Sequence, residues 1–332
     1  MAFKRGIDKK ILSFYSLSIK SVDKIDGTKD VFKLTDEKRN HYFLKIYKKR
    51  GGSDFMPGEN VYHTDEQIQI ESEILHLLSN SALETAVPIK NKMGEWVTIV
   101  KPNSEYATVT SFIDAAPMEK SQAPFTEMAF SAGVCAARLH LASEERLLAV
   151  ASQRPHKRQD YMKKMQERLA YGITTGAITA PQFEMLSQCG DVILDCMNRL
   201  DENPRYNIGL VHTDIRSANC MYTPGKVIPI DFSRCLYSYY LYDLGEMCAH
   251  MGEQNAILRG YQSIKPLGKG HLFAVQAFMA MFLMMVIAET VDASQNSWRT
   301  NLLKTFEDEF HPGLVSGKGF LDPSVLEGIY EL

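Results

Sequence analysis

The residues best equipped for chemistry lie in one stretch, Leu210–Tyr222, and in the run Val227–Ser233 that follows it. Two apolar, β-prone runs lead into Asp214 and Asp231, and an amide, Asn219, lies between the two acids. Neighbouring strands built from these runs would bring three oxygen-bearing side chains to adjacent strand ends. Carboxylate and amide oxygens are what a hard cation such as Mg²⁺ takes as ligands. A carboxylate so placed can also accept the proton of a hydroxyl.

The order His212-Thr213-Asp214, Asn219, Ile230-Asp231-Phe232-Ser233 and Tyr242-Asp243-Leu244 resembles the aminoglycoside phosphotransferase and choline kinase-like superfamily, whose fold is that of the protein kinases. In that family the pattern reads His-Gly-Asp, four residues, Asn, then Ile-Asp-Phe, then a helix start like Tyr-Asp-Leu. Thr213 stands here in place of the usual Gly, and Arg216 where His is common. The resemblance implies that Asp214 accepts the proton of a substrate hydroxyl, that Asn219 and Asp231 hold Mg²⁺, and that ATP is the phosphoryl donor. It makes Asp243 a structural brace for the loop around His212, and His212 an anchor. Arg216 is a candidate contact to the γ-phosphate, or a neutralising partner for Asp214.

Several elements must position these groups. Residues 15–47 alternate β-branched and aromatic residues with Asp/Gly/Asn turns, which predicts an antiparallel meander. Its first turn, with Gly27, is the candidate phosphate loop. Lys45 sits in the third strand on the face of Phe43 and Tyr47, where a lysine is either exposed or needs an anionic partner. The run from about Asp65 to Leu78 has Ile70, Ile74, Leu77 and Leu78 on one stripe and predicts a helix. Glu71 on that helix is the choice for pairing Lys45 toward the ATP phosphates, with Glu73 as the alternative. Two further strands, Trp96–Val100 and Tyr106–Ile113, follow. The resemblance makes backbone groups from Ser111 to Ile113 the hinge that hydrogen-bonds adenine.

Beyond Asp114 the pattern turns helical. Phe125–Leu141 carries the small residues Ala132, Gly133, Ala136 and Ala137, which let another helix approach closely, and a further helix is expected from about Pro181 to Leu200. His140 reads as a packing or capping residue. The basic, polar run from 152 to 168 reads as a solvated connection. Acidic residues such as Glu246, Glu253, Glu289 and Asp292 could meet a cationic substrate, though each is more simply the solvated face of a helix.

With 45% hydrophobic and 23% charged residues the chain is globular in composition. A net charge of -3 argues against a nucleic-acid partner, which calls for a basic excess. Six scattered cysteines without a Cys-x-x-Cys pair point to reduced thiols and a cytoplasmic location. Leu272–Val291 approaches the length of a membrane span, but Gln276 and Glu289 interrupt it and no basic flank completes it, so it is expected as a core helix with no membrane partner.

The interval between Asp231 and Asp243 is too short for the activation segment on which protein kinases dock a peptide. The expectation is therefore a two-lobe, α+β, protein-kinase-like fold. Residues 1–113 form a small antiparallel-sheet lobe that binds ATP, and residues 114–332 a mostly helical lobe with the catalytic loop. The implied activity is Mg²⁺-dependent transfer of the ATP γ-phosphate to a hydroxyl of a small molecule, either an antibiotic such as an aminoglycoside or an amino-alcohol-like metabolite. The alternatives are a catalytically silent kinase-like regulator that binds nucleotide and, third, a protein kinase.

Overall fold

A computed structural model describes residues 9–25, 28, 30–48, 64–102, 105–119, 124–293 and 295–321. The chain divides into two compact units. The first holds the described residues up to Ala116 together with Ile230–Arg234, and the second holds the rest.

The first unit opens with a short helix, α1 (Lys9–Ser13), and three strands, β1 (Ile19–Lys24), β2 (Val31–Asp36) and β3 (His41–Lys48). After the helix α2 (Asp65–Leu78) come β4 (Pro88–Ile89), β5 (Thr98–Lys101) and β6 (Glu105–Ser111). All pairings are antiparallel, in the order β1-β2-β3-β6-β4, with β5 on the remaining part of β6. The meander and its third strand thus form where β-branched and aromatic residues alternate. One face of the sheet closes a core of Phe32, Leu34, Leu44, Ile46, Ala107 and Val109 under Ile11 and Tyr15 of the N-terminal segment. The other face joins Tyr47 and Tyr106 to Ile68 of α2 and to Val97. Thr64 caps α2, its side chain accepting the Gln67 N–H at 3.2 Å, which satisfies one of the free amides of the first turn. The β1–β2 turn with Gly27 lies outside the described residues.

Strand β7 (Ala116–Pro117) runs into the second unit, where the Met118 N–H bonds the Cys220 carbonyl at 2.9 Å. Helix α3 (Phe125–Ala142) follows, then β8 (His156–Lys157), α4 (Gln159–Thr174), α5 (Ala180–Asp201), β9 (Ile208–Val211), and the hairpin β10 (Cys220–Thr223) and β11 (Lys226–Pro229). The chain continues through β12 (Leu236–Tyr239), α6 (Tyr240–Met251), α7 (Gln254–Gln262), α8 (Lys269–Glu289) and α9 (Ser297–Thr305). Strand β12 lies between β9, antiparallel to it, and β8, parallel to it.

The small residues of α3 do what their size allows. A Cβ on Gly133 would lie 2.0 Å from the Ile257 carbonyl of α7, and one on Gly260 of α7 would lie 2.0 Å from the Phe130 carbonyl of α3. The two helices meet backbone to backbone. Helix α8 is the one described helix long and apolar enough to cross a membrane, and it is mostly buried against its neighbours. Its central polar group, Gln276, accepts the N–H groups of Phe320 and Leu321 at 2.7 and 2.8 Å and donates to Leu272. The core-helix expectation accounts for that residue. All six cysteines are buried, and none is in a disulfide.

One expectation is corrected. Residues 152–168 are no solvated connection: they contain β8 and most of the first three turns of α4, with Arg154 and Lys157 buried. Arg154 donates Nε to the Cys235 carbonyl at 2.9 Å, and Lys157 donates to the Tyr242 hydroxyl at 2.6 Å. Two basic residues read as solvated are hydrogen-bonding struts.

Candidate active site

In the first unit Lys45 lies mid-strand in β3, opposite Val31 on one side and Thr108 on the other. Its ammonium bonds Asp231 Oδ1 at 2.6 Å and sits 4.8 Å from the centre of the Tyr47 ring. Ser233 donates to the same carboxylate oxygen at 2.6 Å. Glu71 is buried in α2 and accepts the Tyr47 hydroxyl at 3.1 Å, whereas Glu73 faces solvent. Burial works against the charged form of Lys45, but the carboxylates of Asp231 and Glu71 outweigh it and push its pKa up. Lys45 is held as a cation among two acids, and it forms an ion pair with Asp231.

The strand end expected as a hinge is partly spoken for. The Ser111 N–H goes to the Val87 carbonyl and the Phe112 N–H to the His41 carbonyl, while the Ser111 hydroxyl takes the Val87 N–H at 2.9 Å. Ile113 begins the stretch beyond these sheet bonds.

In the second unit β9 ends at Val211, and the loop after it is clamped from below. Asp243, in the first turn of α6, accepts the His212 N–H at 2.8 Å and the Thr213 N–H at 2.7 Å. It also accepts His140 Nε2 at 3.0 Å, and the other ring nitrogen of His140 meets the Tyr261 hydroxyl at 2.9 Å. With Nε2 donating to Asp243, Nδ1 of the neutral ring can accept the Tyr261 hydroxyl. Burial lowers the His140 pKa in spite of Asp243. The Tyr240 ring stacks on His140 with centroids 4.5 Å apart. The brace expected at Asp243 is present, and it extends back into α3 through a histidine read as mere packing.

Thr213, in the clamped loop, and Asp231, in the first unit, have an unusual backbone. Thr213 has φ +59°, and Asp231 has φ +63°. A β-branched residue at positive φ is strained by its own Cβ. That is the physical reason for a glycine at position 213 in the resembled pattern, and here the strain is carried. Beyond the strained residue, Asp214 is mostly buried and pairs with Arg216 Nε at 2.5 Å. Asn219 donates its amide NH₂ to the Asp214 carbonyl at 3.3 Å. That bond fixes which end of the amide is nitrogen and leaves the oxygen as the ligand-type atom. The Asn219 amide oxygen is a hard donor of the kind Mg²⁺ takes, and so, in the first unit, is the Asp231 carboxylate.

Upstream, Gly209 has no room for a side chain. A Cβ there would meet the Tyr240 hydroxyl at 2.2 Å and the Ser143 hydroxyl at 2.4 Å. Ser143 receives the Leu210 N–H at 2.8 Å, so the wide turn at the end of α3 is pinned to β9.

Residues 24–266, more than half the chain, match the phosphotransferase enzyme family. The chain belongs to that family. No curated protein sequence matches it. Among solved structures it is similar to a microcompartment-associated aminopropanol kinase, at 18% identity and TM-score 0.72, over 94% of this chain and 98% of that one. It is similar to an aminoglycoside phosphotransferase from Alicyclobacillus acidocaldarius subsp. acidocaldarius DSM 446, at 16% identity and TM-score 0.68, over 100% and 98% of the two chains. It also resembles an amicoumacin kinase in complex with AMP-PNP, Ca²⁺ and Ami, at 17% identity and TM-score 0.66, over 95% of each. These likenesses establish the kinase-like α+β fold, and the family makes the protein an enzyme, a phosphotransferase.

Within this phosphotransferase, one grouping was not read from the sequence, although Glu246 was named there as a residue that could meet a cationic substrate. Glu246 and His250 lie on α6 one and two turns after Asp243, and each offers an atom within 4.8 Å of the other and of an atom of Asp214. Glu246 was grouped with acids on solvated helix faces, yet it is only 5% exposed. The signal was its setting: Tyr242, Leu244, Met247 and Cys248 surround it, and a helix apolar on every side is a buried one.

Proposed function

We propose that the protein transfers the γ-phosphoryl group of ATP, with Mg²⁺, to a hydroxyl of a small molecule. The observation that carries the reading is the clamped loop: Asp243 holds the N–H groups of His212 and Thr213 and so presents Asp214 at a fixed strand end. Asp214 takes the hydroxyl proton as the acceptor oxygen attacks the γ-phosphorus. The bond from that phosphorus to the bridging oxygen breaks, and ADP leaves with the electron pair. Arg216 orients the Asp214 carboxylate. Lys45 donates to the ATP phosphates, and Ile113 and the carbonyl of Ser111 face adenine. Asn219 and Asp231 are the oxygen ligands for Mg²⁺, which when bound neutralises charge on the phosphoryl oxygens.

Two further observations support a small acceptor. The segment after Asp231 is used at once as strand β12, paired to β9 from Leu236 to Tyr239, and then as α6. No peptide-docking platform fits in that interval. Structural neighbours are described as kinases of aminopropanol and of amicoumacin and as an aminoglycoside phosphotransferase, so hydroxyl compounds that also carry an amine are the class to test first.

The test is ADP release with Mg²⁺ and ATP across a panel of amino alcohols and aminoglycosides, for the wild type and Asp214→Asn. The variant should lose about 10³-fold in kcat, within the range of general-base catalysis, with its melting temperature nearly unchanged. Acceptor-dependent turnover that survives in Asp214→Asn would remove the assigned base.

A further inference from the structure

Among the described residues β9 is an outer strand of its sheet, yet every one of its residues is buried. A sheet edge out of reach of water must still satisfy the N–H groups that point away from the neighbouring strand. Leu210 lies opposite Tyr237 of β12, whose own N–H goes to the Pro155 carbonyl. The two form a non-hydrogen-bonded pair, so the Leu210 N–H points outward, and by the alternation of the ladder that of His212 points the same way. Both outward N–H groups end on side chains: Leu210 donates to Ser143 Oγ at 2.8 Å and His212 to Asp243 at 2.8 Å. One hydroxyl and one carboxylate thus close the open edge of β9, at the two-residue repeat where another strand would pair.

Two helices deliver these acceptors. His140 and Ser143 stand three positions apart where α3 widens into the turn Ser143–Leu147, and Tyr240 and Asp243 stand three apart in α6. Residues at that spacing share a helix face. The two faces interlock. His140 Nε2 donates to Asp243 at 3.0 Å, the Tyr240 hydroxyl donates to Ser143 Oγ at 3.2 Å, and the Tyr240 ring stacks on His140. Lys265, which pairs with Glu144, lies 5.3 Å from the centre of the Tyr240 ring. The two hydroxyls rest directly on the strand backbone, since the Cβ that Gly209 lacks would meet them at 2.2 and 2.4 Å. We propose that Ser143 and Tyr240 are positioning residues for phosphoryl transfer: together with Asp243 they fix how far β9 projects, and so where Asp214 stands beyond its end. The inference rests on the phosphotransfer reading for the role of Asp214. A misplacement of about 1 Å in a catalytic group can cost about 10²-fold in rate, so a clamp that acts through the strand alone can set kcat.

The test uses the full chain with Ser143→Ala, Tyr240→Phe and the double variant. Ser143→Ala removes the acceptor of the Leu210 N–H, whereas Tyr240→Phe keeps the ring on His140 and removes only the hydroxyl. Amide hydrogen exchange resolved to single residues by mass spectrometry reads the strand edge. In Ser143→Ala, exchange at Leu210 should quicken about 10-fold or more, and at His212 and Thr213 by a smaller factor. ADP release from Mg²⁺-ATP reads the chemistry, with water as acceptor and with each compound of the amino-alcohol and aminoglycoside panel. Ser143→Ala should lower kcat about 10- to 100-fold and Tyr240→Phe by less, with KM for ATP within about twofold of wild type. The double variant should match Ser143→Ala within about twofold, because Tyr240 acts through the Ser143 hydroxyl. Ile193→Val, in the buried face of α5, weakens packing alone and should leave kcat unchanged. Unchanged exchange at Leu210, a wild-type kcat in Ser143→Ala, a rise in KM in place of the loss in kcat, or an equal loss of kcat in Ile193→Val overturns the proposal. Should circular dichroism show Ser143→Ala unfolded, Tyr240→Phe decides: a lowered kcat at wild-type KM supports the proposal and a wild-type kcat overturns it. A wild type that releases ADP neither with water nor with any compound defeats the phosphotransfer reading and the positioning role with it, whereas an active wild type matched by Ser143→Ala defeats the positioning role alone.

Discussion

The two units provision their buried charges in opposite ways. In the first, Lys45 stays a cation because Asp231 and Glu71 outweigh its desolvation. In the second, burial favours the neutral form of His140 although Asp243 is bonded to it, and Glu246 has a buried oxygen with no donor among the described residues. The sheet unit surrounds its buried cation with two acids, whereas in the helical unit burial dominates at Glu246, opposed only in part by His250 and the field of Lys157.

The comparison breaks first on a pair of isosteric changes. Glu71→Gln removes a counter-charge from Lys45 and weakens a buried charged hydrogen bond from Tyr47, and should destabilise the protein by about 1–2 kcal/mol. Glu246→Gln removes a buried, partly unmet carboxylate and should stabilise the unliganded protein by about 1 kcal/mol. Urea denaturation of both variants at pH 7 measures the difference. Two changes of the same sign would end the contrast between the units.

Acid titration sharpens it. The folded pKa of His140 lies below its unfolded value of about 6.5, so the unfolded chain binds the proton more readily. The stability associated with the neutral ring is complete above that value and is lost as pH falls toward the folded pKa, with a slope of at most about 1.4 kcal/mol per pH unit. Glu246 runs the other way: its raised folded pKa costs stability as pH rises through it. Denaturant midpoints from pH 5 to 8 should fall on the acid side in the wild type and flatten in His140→Gln. A wild-type profile unchanged below pH 6.5 would contradict a buried neutral imidazole.

The smallest effect concerns the clamp. Thr213→Gly relieves a β-branched residue at φ +59° but adds freedom to the unfolded chain, leaving a net gain of roughly 0.5 kcal/mol or more. A loss of stability in the melting curve would mean that the Thr213 side chain contributes more than its strain costs.

Much of this was legible in the sequence, for reasons that differ by element. Helix α2 follows directly from the stripe of Ile70, Ile74 and Leu78, and its predicted span, Asp65 to Leu78, agrees with the observed one. The strands around Lys45 follow from alternation. The pattern from His212 to Asp243 is a matter of residue type at fixed spacing, and local sequence carries it whole. What escaped depends on tertiary burial. Arg154 and Lys157 look like surface charges until their carbonyl and hydroxyl partners, far along the chain at Cys235 and Tyr242, are brought to them. The stripe of Tyr161, Met165 and Leu169 at four-residue spacing was the available sign that this run is helical and packed. The ion pair of Lys45 with Asp231 joins residues 186 positions apart, and no local pattern ranks Asp231 above Glu71 as its partner.

That same separation reaches into how the protein is made. The first unit includes Ile230–Arg234, and its turn Phe232–Arg234 touches α2. A ribosome must therefore add roughly 115 residues after Ala116 before Asp231 exists, about 6–23 s at ordinary elongation rates. For that time the nascent sheet has Lys45 facing Glu71 without its second acid. Completion of the amino-terminal unit is thus timed by translation of the carboxy-terminal one, and a pause in the codons before Asp231 would lengthen the life of an unfinished fold.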